Sequence, residues 1–227
     1  MNDKEKAVRA AEADRRLEAL YPDAACSLEH GRDPFRLLIM AILSAQCTDV
    51  RVNAVAGPLF ERFPDARSIA ESAEGELEEL IRPVGLFNSK AGNIRKCCRT
   101  LTERFSGRVP ESMEDLLTLG GVGRKVANLI RGDVFGLGGI VADTHCIRIS
   151  NRLGLVDSAD PLKVERQISP LIPAERQSDF CHRLVLFGRD CCSARKPGCK
   201  NCALADICEY RAENAVSQSK TAERNIS

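Results

Sequence analysis

Four cysteines, Cys192, Cys199, Cys202 and Cys208, form a Cys-x6-Cys-x2-Cys-x5-Cys array that closes within seventeen residues. So many thiols in so short a loop must converge on a metal centre. Zinc and iron–sulfur clusters both accept four cysteine ligands, so spacing alone does not choose between them. A disulfide scaffold would suit a short secreted chain, but this one has 227 residues and an odd count of 11 cysteines. Its N-terminus, Met1 to Leu20, is dense in charge and holds no apolar stretch of signal-peptide length. Reduced thiols in an intracellular, cytoplasmic protein are therefore expected. The longest unbroken apolar run, Leu37 to Leu43, falls far short of the ~20 residues that span a bilayer, so no membrane partner is expected.

Helix signals recur along the chain and strand signals do not. Asp33 followed by Pro34 reads as an N-cap with proline at the first helical position, leading into the apolar segment Phe35 to Leu43. Thr48, Asp65 and Asn88 offer further caps. Beyond Asn88, the positions Ile94, Cys97, Cys98, Leu101 and Phe105 keep a helical spacing until Gly107. Ser112 with Asp115 resembles a capping box for Met113 to Thr118. Further helices are expected near 124–135, 144–153, 161–170 and 178–188. No sustained period-2 alternation competes, so the fold class is all-α, and 44% hydrophobic content suffices for a sizeable core. The polar tail at 213–227 reads as disordered.

Net charge does not announce a nucleic-acid partner, because 33 basic residues face 32 acidic ones. Any such surface must be a local basic patch, with the acidic stretch Glu71 to Glu79 facing elsewhere. A candidate lies in Leu116 to Asn128, which reads as a short helix, a glycine-rich turn and a second helix. Gly121 and Gly123 permit a tight turn whose backbone N–H groups point outward at a helix N-terminus. Main-chain donors of this kind grip a phosphate without reading base sequence. Lys125 falls in the first turn of the second helix, beside Arg124 and the positive end of the helix dipole. These surroundings are expected to favour the neutral, nucleophilic amine used in Schiff-base chemistry. Downstream, the apolar lead-in Val141-Ala142 delivers Asp143 to the start of the next helix, where it can cap.

Leu119-Gly-Gly-Val-Gly-Arg-Lys-Val-Ala-Asn128 followed by Val141-Ala-Asp-Thr-His145 resembles the endonuclease III family of helix-hairpin-helix DNA glycosylases. Leu43-Ser-Ala-Gln-Cys-Thr-Asp49, Gly85-Leu-Phe-Asn-Ser-Lys-Ala91 and the C-terminal cysteines match further segments of that family in the same order. The resemblance spans residues 30 to 210. Two positions depart from the pattern: Gly120 stands where proline is usual, which should loosen the hairpin slightly, and Cys47 where a small residue is usual.

The resemblance implies a two-domain helical protein. Residues 27–137 would form a six-helix barrel with the hairpin, and residues 1–26 plus 138–227 a cluster-bearing domain. The active site would lie in a cleft between them. It further implies a bifunctional DNA glycosylase and abasic-site lyase acting on oxidised pyrimidines in double-stranded DNA, as a monomer. Lys125 would attack the sugar C1′, and Asp143, as a buried carboxylate, would activate it or stabilise developing positive charge. Leu86 would be the wedge inserted into the base stack, with Gln46 filling the gap from the other side and His145 contacting phosphate. The cysteine array would hold a 4Fe-4S cluster and present Arg195, Lys196 and Lys200 to the DNA backbone. The family spacing selects Cys192 as ligand and leaves Cys191 out, with its side chain diverging from its neighbour's. His30 and His182 read as surface or structural residues.

A monofunctional relative, a non-catalytic hairpin module and an iron–sulfur electron carrier are the alternatives. Lys125 argues against the first, Asp143 against the second, and the phosphate hairpin against the third.

Overall fold

The structure, a computed structural model, describes residues 1–212. The segment 213–227, read above as disordered, lies outside the described residues. Among the described residues there is no strand. The helices are α1 (Asp3–Leu20), α2 (Pro34–Leu43), α3 (Asp49–Arg62), α4 (Ala66–Ala70), α5 (Glu76–Ile81), α6 (Phe87–Phe105), α7 (Met113–Leu117), α8 (Arg124–Asp133), α9 (Thr144–Arg152), α10 (Pro161–Ile168) and α11 (Gln177–Asp190). Two compact units divide the chain: residues 26–139, and residues 1–25 together with the chain from 140 onward.

In the unit of residues 26–139, α2 is the central rod. Every residue from Leu37 to Leu43 is buried, and α3, α6 and α8 pack around it. A helix apolar on all sides must be enclosed in this way, and burying one such leucine contributes about 1.5–3 kcal/mol. Asp33 caps α2 by accepting from the N–H groups of Phe35 and Arg36. Asp65 caps α4 through a reciprocal pair with Ser68. Thr48 occupies the N-cap of α3 but its side chain makes no capping hydrogen bond.

Asn88 is not a cap. α6 starts one residue before it, at Phe87, because Gly85 and Leu86 both take positive φ and turn the chain into the helix earlier. The rest of α6 follows its spacing, with Ile94, Cys97, Cys98 and Leu101 buried. The Ser112 motif is half a capping box: its hydroxyl accepts from Asp115 N–H at 3.0 Å, but the Asp115 carboxylate binds back to that hydroxyl rather than to the backbone.

In the other unit, α1 packs against α11 and buries Ala10, Ala13 and Leu17. Between them lies a buried ion pair, Asp14 with Arg183 at 3.0 Å, and Arg176 reaches the second Asp14 oxygen at 2.5 Å. Arg16 ties α1 to Asp206, and Arg9 ties it to Glu209 and the Leu153 carbonyl. The N-terminal helix is thereby held to residues nearly 200 positions downstream. Removing one partner of the Asp14–Arg183 pair would strand a buried charge, at a cost of about 3–5 kcal/mol.

Candidate active site and cysteine pocket

The hairpin between α7 and α8 rests on α6. A Cβ added at Gly120 would lie 2.7 Å from the Asn93 carbonyl oxygen and 2.9 Å from Lys96 Cβ, so only glycine lets the turn press this close. Gly120, read from sequence as a loosening of the hairpin, therefore seats it. Gly121 adopts φ +77°, a conformation that excludes most side chains, with Asn93 and Ile42 directly beneath. Gly123 is different. Its φ is −95°, open to any residue, and a Cβ there would meet nothing within 4 Å. The fold has no need of glycine at 123, and the exposed turn is left open to close approach from outside. As N-cap of α8, Gly123 also supplies no side chain to cover the first-turn N–H groups.

Lys125 projects from that first turn. It is exposed and makes no hydrogen bond or ion pair among the described residues. Gly121 and Arg124 are likewise exposed. Leu86 is 59% exposed and holds φ +49°, unusual for a branched side chain, while the exposed Gln46 holds φ +52°. Non-glycine residues in this region cost about 1–3 kcal/mol and cluster at working sites. The loop before Leu86 is braced by Lys90, which sequence reasoning missed. Lys90 is buried, and its Nζ donates to the Val84 carbonyl at 3.0 Å. Burial pushes its ammonium below the ordinary lysine range, against the pull of Cys47.

In the other unit, Asp143 is the N-cap of α9, accepting from Cys146 N–H at 2.7 Å. It is half-buried rather than buried, because a helix cap keeps one carboxylate edge outward. His145 packs against α11 at Gly188, where an added Cβ would come within 2.2 Å of Nδ1. Burial lowers its pKa, and the nearby charges of Arg148 and Arg189 outline why a second positive charge is disfavoured, with Asp143 opposing them. A neutral imidazole can donate one hydrogen bond but brings no charge.

Cys192, Cys199, Cys202 and Cys208 line one pocket, with Leu153, Phe187 and Leu204 as its apolar wall. Cys191 lines the same pocket, contrary to the divergence expected of consecutive residues. The reason is local: Cys191 is the C-cap of α11, and both its N–H and that of Cys192 bind the Phe187 carbonyl, so the chain leaves the helical period between them. Two arginines one turn apart on α9, also missed, hold this loop. Arg148 donates to the carbonyls of Gly188 and Cys192, and Arg152 to Cys192 Sγ at 3.2 Å and to the Ser193 and Ala194 carbonyls. Arg195, Lys196 and Lys200 are exposed on the same loop. No helix among the described residues is long and apolar enough to cross a membrane.

Residues 39–174 match the HhH-GPD superfamily of base excision DNA repair proteins. The endonuclease III of Synechocystis sp. is 48% identical over 89% of this chain and 93% of its own length. That of Escherichia coli is 42% identical over 78% and 84%. A solved structure of a trapped endonuclease III–DNA covalent intermediate superimposes with a TM-score of 0.84 at 39% identity, covering 92% of this chain and 98% of that one. A thermostable thymine-DNA glycosylase shares the fold at 23% identity with a TM-score of 0.81. The chain belongs to the endonuclease III family.

Proposed function

We propose that this protein is a bifunctional DNA glycosylase and abasic-site lyase of base excision repair, acting on oxidised pyrimidines in double-stranded DNA. The observation that carries the reading is the hairpin: an open glycine N-cap with exposed Lys125 one step inside the helix. Phosphate docks on the backbone N–H groups of Gly121 and Gly123, aided by Arg124, and brings the adjacent nucleotide to the lysine. The Lys125 amine attacks C1′ and gives up a proton, the glycosidic bond breaks, and the base departs with its electron pair and is protonated. The C1′–O4′ bond of the resulting aminal then opens, O4′ takes a proton and the lysine nitrogen becomes a Schiff base at C1′; loss of a C2′ proton breaks the C3′–O3′ bond, and β-elimination releases the 3′ phosphate. Asp143 stabilises the positive charge that builds on the sugar. Leu86 and Gln46 occupy the space left by the flipped nucleotide, and His145 donates to phosphate. Incubation with an abasic-site duplex and borohydride tests the reading. A covalent complex supports it, and none would leave a monofunctional or non-catalytic relative.

The four thiols fit a 4Fe-4S cluster. Their pocket is walled by apolar side chains, and Arg152 Nη1 and Leu204 N–H already donate to Cys192 and Cys202 sulfurs, as hydrogen bonds do at cluster ligands. Bound there, the cluster would shape the loop of Arg195, Lys196 and Lys200 for the phosphate backbone. Cys192→Ser should lose iron, sulfide and brown colour and weaken DNA binding, whereas Cys191→Ser should keep all three. Iron and sulfide per chain in the two purified variants decide it, and loss of iron from the Cys191 variant would show the ligand set to be wrong.

The hairpin and the wedge are separable by mutation. Gly123→Ala should leave thermal stability unchanged, since a Cβ there meets nothing, yet weaken binding to any duplex by about 10-fold, the worth of one charge-assisted hydrogen bond. Leu86→Ala should instead slow excision from a paired lesion more than cleavage at a flexible abasic site. Equal effects of Leu86→Ala on both substrates would reduce that side chain to a packing residue.

A further inference from the structure

At the end of α8 remote from Lys125, Cys26, His30 and Asp133 bring a thiol sulfur, an imidazole nitrogen and a carboxylate oxygen within 4.8 Å of one another. Cys26 and His30 form a Cys-x3-His pair on the strap preceding α2, and Asp133 is the last residue of α8. The strap is pinned in place. Leu28 is buried in the core, Glu29 N–H donates to Asn53 Oδ1 at 3.1 Å, and Asn53 Nδ2 donates to the Ser27 carbonyl at 2.9 Å. His30 Nδ1 is itself a buried atom. The three donors are thus held toward one point by the fold rather than by chance encounter of surface chains.

The surroundings favour a cation. Asp133 ends a ten-residue helix, where aligned carbonyl groups accumulate negative charge. Acid–base or nucleophilic chemistry is a poor alternative for the trio: burial pushes the Cys26 thiol up to about 12, and Asp133 and Asp49 add to it against a hydrogen bond from Leu28. A coordinated cation reverses that preference and takes the thiolate, releasing one proton.

We propose that Cys26, His30 and Asp133 form a binding site for a divalent transition-metal cation, best matched by zinc. One sulfur, one nitrogen and one oxygen donor suit a borderline-soft ion without geometric preference, and a water completes a tetrahedron. The ion staples the strap to the C-terminal end of the helix whose first turn carries Lys125. It is a structural site, separate from the C-terminal cysteine pocket and independent of the repair reaction.

The test uses the purified full chain, dialysed against zinc chloride, with zinc and iron read by mass spectrometry alongside thermal melting. Wild type should retain one more zinc per chain than the Cys26→Ser/His30→Ala double variant, with equal iron in both, and zinc should raise its melting temperature and not the variant's. Should the double variant fail to fold, Asp133→Asn keeps shape and should weaken zinc binding by ~10-fold or more. Equal zinc in wild type and variants, or zinc gained only as iron is lost, overturns the proposal. Because the readout is a difference in metal content, it stands apart from any outcome in the glycosylase assay.

Discussion

Lys125→Gln is expected to abolish borohydride trapping and strand nicking on an abasic-site duplex, with turnover falling by at least ~10³-fold, since it removes the proposed nucleophile. Binding to the same duplex should stay within a few-fold of wild type. The phosphate contacts assigned to the hairpin come from backbone N–H groups around Gly121 and Gly123, which the substitution leaves alone. Stability should shift by no more than about 0.5 kcal/mol, because the side chain is exposed and without partners among the described residues. The measurement is trapping yield paired with a binding isotherm. A variant that still traps would remove Lys125 from the mechanism, and one that neither traps nor binds would point to a hairpin misfolded by the change.

Asp143→Asn should lower excision by about 100-fold or more, the scale lost when a single electrostatic stabiliser is removed from a developing charge. The fold should survive, because an asparagine oxygen can still accept the Cys146 N–H that Asp143 now holds at 2.7 Å. Asp143→Ala separates the two roles. It should match the asparagine variant in activity and lose a further ~1 kcal/mol of stability from the missing cap. Activity of Asp143→Asn within a few-fold of wild type would reduce the carboxylate to a cap alone.

Much of this was legible in the sequence wherever local chemistry decides the outcome. The Asp33-Pro34 start of α2, the spacing of α6 and the Leu116 to Asn128 hairpin all follow from caps, periodicity and glycine. α1 was harder to read, because its buried face is Ala10, Ala13 and Leu17 beside the charged Asp14, whose partners Arg176 and Arg183 lie over 160 residues away. The roles of Lys90, Arg148 and Arg152 were invisible for a similar reason: each binds a backbone carbonyl, which carries no sequence signature. Asn88 misled because its type suits a cap, and the two positive-φ residues before it took the turn first. His30 looked inert until Asp133 was brought beside it.

α9 joins two places that would otherwise be treated separately. Its first turn is locked by Asp143, and its last residue, Arg152, grips the loop of Cys192, Ser193 and Ala194. Nine residues make a rod of about 13 Å, too short to bend freely. An oxidant that frees the cysteine loop thus also slackens the far end of that rod, and the loss would register in deuterium uptake at the Cys146 amide before any bond to DNA is made or broken. If the loop holds the cluster proposed above, iron shortage in a cell would, on this geometry, cost the enzyme the posture of a carboxylate.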